Sequence, residues 1–355
     1  MNAIAQDESN PNPWAHRLAW ALACATFPLV WLGGLVTTYG AGMAVPDWPT
    51  TYGYWWYPLH LWGLIWDILL EHSHRVLAQT VGLLSIGLAL VLWFRDRREH
   101  MRRLAVLLVA GVVFQGVLGG LRVLWQDLSL AKVHGCTAPL FFTLTAALVT
   151  LTSRRWRQGD APPPTPEPET RPPQAPVPIS SQAFRVVSPL LAGLIYVQVG
   201  LGVQLRQIIP DDAPGWFTLW VWLHVSTAIL IAAAMVWVTV HACKEMGTDS
   251  EPMGTKSEKT SFGEVPVPIS SGSATIVARR VRWLAMVLAV QLGLGVAVWV
   301  TKFGWPRWFT DHVWAVQYIV VAGGRLQVWA RSLHTAVGSL SLATAAVLAL
   351  WSRRT

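Results

Sequence analysis

Eight apolar stretches, each long enough to cross a lipid bilayer, constrain this chain more than any other feature of its sequence. A helix needs about 20 residues to span a hydrocarbon core of about 30 Å. Of the 355 residues, 13% are charged and 53% hydrophobic, whereas a soluble domain carries about 25% charged residues. The sequence therefore predicts an all-α integral membrane protein with eight transmembrane helices. The stretches cover residues 17–37, 67–94, 104–125, 129–152, 184–206, 217–243, 280–301 and 328–351.

Basic residues predict the orientation of these helices. The two termini and the loops on their side of the membrane hold 19 of the 27 Lys and Arg, and the loops on the other side hold 7. An excess of Lys and Arg marks the cytoplasmic side. We therefore expect a multi-pass protein of a bacterial-type inner membrane with both termini in the cytoplasm. The net charge of +8 is then explained by the basic residues on the cytoplasmic side of the membrane. We expect contact with membrane lipid and none with nucleic acid.

A proline-rich segment divides the chain into two parts. Nine prolines lie between positions 162 and 178, and such a composition favours an extended tether over a packed core. We expect a cytoplasmic linker at 153–183 between two pseudo-symmetric four-helix bundles, 1–152 and 184–355. A second cytoplasmic loop is expected at 244–278.

Each even-numbered span carries a histidine 5 to 7 residues from its predicted outer end. Counted from the predicted span starts, the four lie 5 to 7 residues into the helix, which is roughly 7–11 Å below the surface. Polar side chains at such depth are costly and mark functional sites. Two imidazoles from facing helices form a six-coordinate haem iron site, whereas zinc or copper sites usually add Cys or carboxylate ligands. Two haems are favoured over a non-haem metal. The residues are His74, His134, His224 and His334.

A carboxylate and a guanidinium accompany the first of these histidines. Glu71 lies three residues before His74 and four before Arg75, so that Glu71 shares one helix face with both. One interpretation is that Glu71 and Arg75 neutralise each other. The other is that Glu71 acts at the reacting group and Arg75 holds a haem propionate. Because the second half has no such carboxylate, we expect catalysis in the first half and a structural or electron-transfer haem in the second.

Three spans share a glutamine followed by glycines, at 115–119, 198–202 and 291–295. Small residues let helix backbones approach closely in lipid. The glycines therefore predict helix packing, with room for a flat ligand as the alternative. His72 points away from the face of His74, and a packing or surface role is expected for it.

These motifs resemble those of the haem A synthase (CtaA/Cox15) family. The run Glu71-His72-Ser73-His74-Arg75 is similar to its E-x-x-H-R signature. The family's first outer loop is matched by Gly33-Gly34, by Gly40-Ala41-Gly42-Met43 and by Asp47-Trp48-Pro49. The family's remaining ligand positions are matched by His134, His224 and His334. One departure is Val36-Thr37, where many members have Thr-Arg, so that a propionate-binding arginine is missing or replaced.

The resemblance implies an oxidoreductase that converts the C8 methyl of haem O to a formyl group, giving haem A for assembly of terminal oxidases. It implies that His74 and His134 face the substrate haem, that Glu71 serves catalysis, and that His224 and His334 ligate haem b. An unidentified electron donor, haem O synthase and terminal oxidase subunits are the implied partners.

Two other functions remain open from the sequence. A membrane protein that handles or transports haem is suggested by the Trp-rich stretch 62–67, and a b-type electron carrier would bind haem without modifying it. Electron carriers usually place their haems toward both membrane faces, whereas all four histidines here lie toward one.

Overall fold

The computed structural model describes residues 13–55, 65–158, 179–207, 214–248, 271–313 and 320–354. These ranges form α-helices and one short 3-10 turn, Ala41–Met43, with no β-strand among them. Two helices are short, α5 (Arg154–Gln158) and α9 (Arg307–His312). The eight long ones are α1 (Pro13–Thr38), α2 (Trp66–Arg95), α3 (Glu99–Trp125), α4 (Leu128–Thr152), α6 (Ile179–Gln207), α7 (Pro214–Thr248), α8 (Ser271–Phe303) and α10 (Arg325–Ser352).

Each apolar stretch of the sequence lies inside one of the long helices, so the predicted all-α class and the eight spans are confirmed. The helices continue past the apolar stretches where polar residues follow them. Helix α7 runs on to Thr248 and α8 begins at Ser271, so both ends of the loop expected at 244–278 are helical. Residues 159–178 of the expected linker and residues 62–64 of the Trp-rich stretch lie outside the described residues.

Local chemistry fixes several helix features. The Asp127 side chain caps α4 by accepting the backbone N–H of Ser129 at 2.6 Å, which satisfies one of the free donors of a helix start. Helices α1, α4 and α6 each contain a proline, at Pro28, Pro139 and Pro189. Proline removes a backbone donor, and membrane helices tolerate this because neighbouring helices satisfy the freed carbonyls.

The long helices pack as two rings of four. In the first ring α1, α2, α3 and α4 each contact the next, and α4 closes back on α1; in the second, α6, α7, α8 and α10 do the same. Each ring encloses buried apolar side chains, such as Leu88, Leu108 and Leu148 in the first and Leu284 in the second. The pseudo-symmetry of the two rings stays a prediction.

Helix α10 joins the rings, because it packs on α1 and α4 as well as on its own neighbours, and α6 also contacts α4. A Cβ atom on Gly34 of α1 would lie 3.5 Å from the backbone of Ser332 on α10, in ordinary van der Waals contact. The rings of Trp31 and Trp329 meet beside it with centroids 5.4 Å apart.

We call the end of the bundle that carries residues 39–55 the outer end, after the predicted topology. At the opposite end, tryptophans and arginines hold α5 against α10 and α8 against α10. Trp156 and Trp351 meet edge to face, with ring centroids 5.1 Å apart. The Arg354 guanidinium lies 3.6 Å from the centre of the Trp156 ring, and that of Arg280 lies 4.9 Å from Trp351. These cation–π contacts connect the segment after the first ring to the second ring.

We expect Leu88→Ala to destabilise the protein by about 2–5 kcal/mol, because Leu88 is fully buried inside the first ring and its loss leaves a cavity. Leu90→Ala, on the lipid-facing side of the same helix at 53% exposure, should leave stability nearly unchanged. Thermal unfolding of the purified protein in detergent measures both. Equal effects of the two substitutions would contradict the ring packing.

Candidate functional site

The four predicted histidines lie near the outer end, on α2, α4, α7 and α10. They follow the first residue of their helices by 8, 6, 10 and 9 positions, or roughly 9–15 Å at 1.5 Å per residue. The second pair lies somewhat deeper than the sequence indicated, because α7 and α10 each begin three residues earlier than the apolar stretches. We call this depth the histidine level.

Each of these histidines packs its ring against a glycine of the preceding span. A Cβ atom on that glycine would approach the Cε1 atom of the imidazole within 3.5 Å or less. At Gly33, Gly202 and Gly295 even a Cβ atom would press on the ring, and at Gly119 it would be in van der Waals contact with it. The backbone of one span therefore serves as a seat for the histidine of the next. The pairs are Gly33–His74 at 3.0 Å, Gly119–His134 at 3.5 Å, Gly202–His224 at 3.3 Å and Gly295–His334 at 3.3 Å.

The glutamines of the three motifs lie four residues before the seats and face the same histidines. The Gln198 amide lies 3.2 Å from Nε2 of His224 and donates to its backbone carbonyl at 3.0 Å. The Gln291 amide lies 3.4 Å from Nε2 of His334. In the first half Gln115 donates instead to Thr137 at 2.6 Å, one turn after His134. The glutamine of each motif therefore contacts the neighbouring helix at or near its histidine.

The other glycines of the three motifs, Gly116, Gly200 and Gly293, lie in open space, where an added Cβ atom would meet nothing within 4 Å. Within one motif the two kinds of glycine therefore differ. The last glycine accommodates an imidazole, and the earlier one lies on a free helix surface. Close packing thus explains the seat glycines, and the ring that packs there is a histidine.

His224 and His334 face each other across the second ring. Their ring centroids are 6.3 Å apart and the ring planes make an angle of 65°. Two imidazoles that bind one metal ion from opposite sides, at about 2 Å from nitrogen to metal, bring their ring centres about 6 Å apart. The pair is therefore spaced to hold a metal ion between its rings.

All four imidazoles keep a buried Nδ1 atom that finds no hydrogen-bond partner among the described residues. Leaving a buried polar atom unpaired costs about 1–3 kcal/mol, and these four Nδ1 atoms lie beside the seat glycines, 3.6–3.9 Å from the position of an added Cβ atom. Within the described ranges no three His, Cys, Asp or Glu side chains come together as a metal-ion site. Two imidazoles per site suit an iron whose other ligands come from a porphyrin.

The Glu71 side chain, 3% exposed, is held by two partners. Its Oε1 atom accepts from Nη2 of Arg75 at 2.6 Å, and its Oε2 atom accepts the backbone N–H of Val45 at 3.0 Å. The ion pair that the sequence suggested is therefore present. It ties the start of the outer loop to the face of α2 that carries His74.

Arg75 holds the rest of this loop. Its guanidinium donates to the backbone carbonyls of Val45, Asp47 and Thr50, in addition to its bond with Glu71. One side chain therefore gathers residues 45–50 over the first ring. The guanidinium that was predicted to hold a haem propionate is therefore bonded to this loop and to Glu71.

His72 and Trp48 complete the attachment of the loop. Nδ1 of His72, which is buried, lies 2.8 Å from the Thr51 hydroxyl, so the packing role expected for this residue is confirmed and a surface role is wrong. The Trp48 indole covers Gly120 of α3, where a Cβ atom would approach it to 2.5 Å. The loop thus spans from α2 to α3.

Asp47 shapes the turn of the loop. Its carboxylate accepts the Thr50 hydroxyl at 2.6 Å and the backbone N–H groups of Tyr52 and Gly53 at 2.8 and 3.1 Å. Burial acts to raise the pKa of Asp47, but these hydrogen bonds outweigh it and the pKa lies below its ordinary value. The carboxylate form, which all three bonds require, is therefore favoured.

Arg122 is a residue that the sequence analysis counted only as an outer-loop charge. It lies on α3, interacts electrostatically with Glu71 and with both His74 and His134, and packs against Gly42, where a Cβ atom would collide with it. The sequence could have indicated this location, because Arg122 lies three residues after Gly119 in the same helix.

The fold and the site together define a multi-pass helical membrane protein with paired histidines at one depth. Residues 66–209 match the family model COX15-CtaA, described as cytochrome oxidase assembly protein. This segment holds His74, His134 and the E-x-x-H-R run, and its match to the family model confirms the resemblance to this family.

Curated proteins similar to this chain bear a name that is consistent with this family. A protein named "Heme A synthase" from Shouchella clausii is 29% identical over 233 residues, which cover 60% of this chain and 70% of the relative. One of the same name from Listeria monocytogenes serotype 4a is 33% identical over 141 residues, 38% of this chain and 43% of the relative. Another from Geobacillus kaustophilus is 29% identical over 142 residues, 42% of its own length.

We expect Arg75→Gln to release the outer loop. Removing one partner of a buried ion pair costs about 3–5 kcal/mol, so amide hydrogen exchange in residues 44–52 should accelerate more than about tenfold. The matched control is Arg103→Gln. Arg103 and Glu99 form an i,i+4 pair at the same distance, 2.6 Å, but with both side chains over 70% exposed. Unchanged exchange in the Arg75 variant would contradict the loop attachment.

Proposed function

We propose that this protein is a haem A synthase, which oxidises the C8 methyl of haem O to a formyl group and supplies haem A for terminal oxidases. The observation that carries the proposal is the set of four glycine-seated imidazoles at one depth, of which His74 has a buried carboxylate one turn away. The names of the relatives support the same reaction.

In the first ring, His74 and His134 would hold the substrate haem. Their rings are fixed by Gly33 and Gly119, so neither needs to move to meet a ligand. Conversion of the methyl to a formyl group removes four electrons and adds one oxygen atom, so it requires an external oxidant, and the bound haem iron would supply the centre at which that oxidant acts on the inert C–H bond. The protein contributes the position of the haem and the charges around it.

Glu71 would act on the proton released at the reacting carbon. Arg75 and the Val45 N–H hold its carboxylate on the face of α2 that carries His74, and a carboxylate so placed can accept a proton or stabilise developing positive charge. The loop bound by Arg75 covers this end of the ring and would limit the access of water to the site.

In the second ring, His224 and His334 would ligate haem b. Their ring centroids are 6.3 Å apart, a spacing at which both imidazoles would be able to bind one haem iron. Because no carboxylate stands one turn from either histidine, this haem would be structural or carry electrons to the first ring. The electron donor would be a separate partner, with haem O synthase and terminal oxidase subunits as the proteins before and after this step.

We expect Glu71→Gln to lower haem A formation about 100-fold or more, the loss typical of removing a general acid or base, while haem b stays bound. The glutamine oxygen can still accept the Val45 N–H, so the substitution removes charge and basicity more than shape. Chromatography of haems extracted from membranes that also produce haem O measures the product.

Asp96→Asn is the matched control for losing a buried carboxylate. Asp96 pairs with Arg98 at 2.9 Å and Arg157 at 3.0 Å at the opposite end of the bundle, and the variant should still form haem A. If Glu71→Gln made haem A at the wild-type level, Glu71 would serve only to hold the loop. If the wild-type protein produced no haem A with haem O present, the proposed reaction would be wrong.

We expect Gly295→Leu to remove haem b, because the new side chain would occupy the seat of the His334 ring. Gly293→Leu, two residues earlier on the same helix, should leave haem b in place, since a Cβ atom there meets nothing within 4 Å. The reduced-minus-oxidised spectrum of the purified proteins reports the haem. Equal haem contents in both variants would refute the assignment of the second ring.

A further inference from the structure

Three arginines lie just outside the histidine level, and each stands about one helical turn from a histidine or its seat. Arg122 follows Gly119 by three residues, Arg206 follows Gly202 by four, and Arg331 precedes His334 by three. Helices α3 and α6 run toward the outer end and α10 runs away from it, so all three arginines are displaced toward the outer end. At 1.5 Å per residue the arginines lie roughly 5–6 Å outward of the imidazoles.

Arg206 brings the two rings together at this level. From α6 it donates to the Gly34 carbonyl and the Thr38 hydroxyl on α1, and to the Thr335 hydroxyl on α10 at 3.2 Å. It interacts electrostatically with Arg331 and Arg122. We call Arg122, Arg206 and Arg331 the arginine cluster.

The arginine cluster carries positive charge that the described residues do not balance. Glu71 is the carboxylate that acts on Arg122, but its oxygens are bound to Arg75 and to the Val45 N–H. The Nε atoms of Arg122 and Arg206 are buried and have no hydrogen-bond partner among the described residues. Like charges at close range in a membrane protein are costly, and an anionic group would relieve that cost.

The position of the cluster indicates which anion fits. A haem held at the histidine level carries two carboxylates on one edge, and guanidinium binds carboxylate through paired donors. We propose that the arginine cluster receives haem propionates, with Arg206 as its central member. The proposal depends on haem binding at the histidines, which the proposed function includes, and not on the oxidation of haem O.

The cluster also accounts for the departure at the end of α1. Thr37 stands four residues after the seat Gly33, where the family resemblance led us to expect an arginine nearby. Arg206 reaches α1 from the neighbouring ring and binds Gly34 and Thr38. A cation is therefore present beside the outer end of α1, although α1 itself provides none at that end. Arg75 donates to Glu71 and to three loop carbonyls, whereas Arg122 and Arg206 each keep an unpaired Nε–H among the described residues that a propionate would accept.

The test compares haem b with haem b dimethyl ester, in which both propionates are blocked. Full-length protein from a haem-deficient host is titrated with each compound in detergent, and absorbance reports binding. A hydrogen bond to a charged group contributes about 1.5–3 kcal/mol, so the wild type should prefer haem b over the ester by about tenfold to a hundredfold. In Arg206→Gln this preference should fall to a few-fold or less.

Three further variants make the test specific. Arg280→Gln removes an arginine at the opposite end, where it lies over Trp351, and should keep the full preference. Asp211 and Asp212, which lie outside the described residues, follow Arg206 in the sequence, and the double change D211N/D212N should also keep it. Arg206→Lys, which retains the charge without the paired donors, should give an intermediate preference and serves if the glutamine variant fails to fold.

The outcomes separate this proposal from the proposed function. An Arg206→Gln protein that retains the wild-type preference overturns the proposal, whether or not the cells make haem A. If Arg206→Gln lost co-purifying anionic phospholipid but kept the wild-type preference for haem b, the cluster would bind a lipid headgroup and the proposal would also be overturned. A wild type that binds neither compound would refute haem binding itself, and a wild type that shows the preference but forms no haem A would refute only the reaction.

Discussion

The packing of an imidazole on bare glycine backbone is the interaction on which the rest of this structure depends. Each such contact joins one span to the next, and the four recur at a common depth. A histidine ring inside a bilayer needs space and a fixed direction to act as a ligand, and a seat glycine supplies both. Because the seat and the ring lie on different helices, the contact also fixes how those helices are aligned along their axes.

The outer loop depends on the same arrangement in a second way. The helix face that presents His74 also carries Glu71 and Arg75, which hold residues 45–50 by hydrogen bonds. The residues that hold the outer loop and the proposed haem ligand His74 therefore lie within two turns of the same helix. A polar group buried at a membrane surface must find partners, and here the partners are the backbone of the cover.

Charge is distributed differently in the two rings. The first contains a carboxylate near its histidines, and the second contains none among the described residues of its helices at that depth. Arg206 of the arginine cluster lies where the rings meet, and Arg122 of α3 and Arg331 of α10 interact electrostatically with it. If each ring holds one haem, both would present their acidic edges to this junction, which gives a physical reason why Arg206 of the second ring reaches α1 of the first.

Much of this protein could be predicted from the sequence, because lipid allows few structures. The eight spans, their approximate ends and the common depth of the four histidines all follow from apolar length and helical rise. The arginines were missed because a count of loop charges treats Arg122 and Arg206 as marks of topology, although both stand inside helices.

Sequence alone determined which residues lie at one depth, since the rise of a helix converts spacing into height. Only the tertiary structure decided which of them touch. Gly119 and Gly116 are equally small, yet only Gly119 receives an imidazole, because rotation and neighbour choice around each helix depend on contacts between residues far apart in the chain. The same reason explains why the partners of Arg206 on α1 lie about 170 residues away.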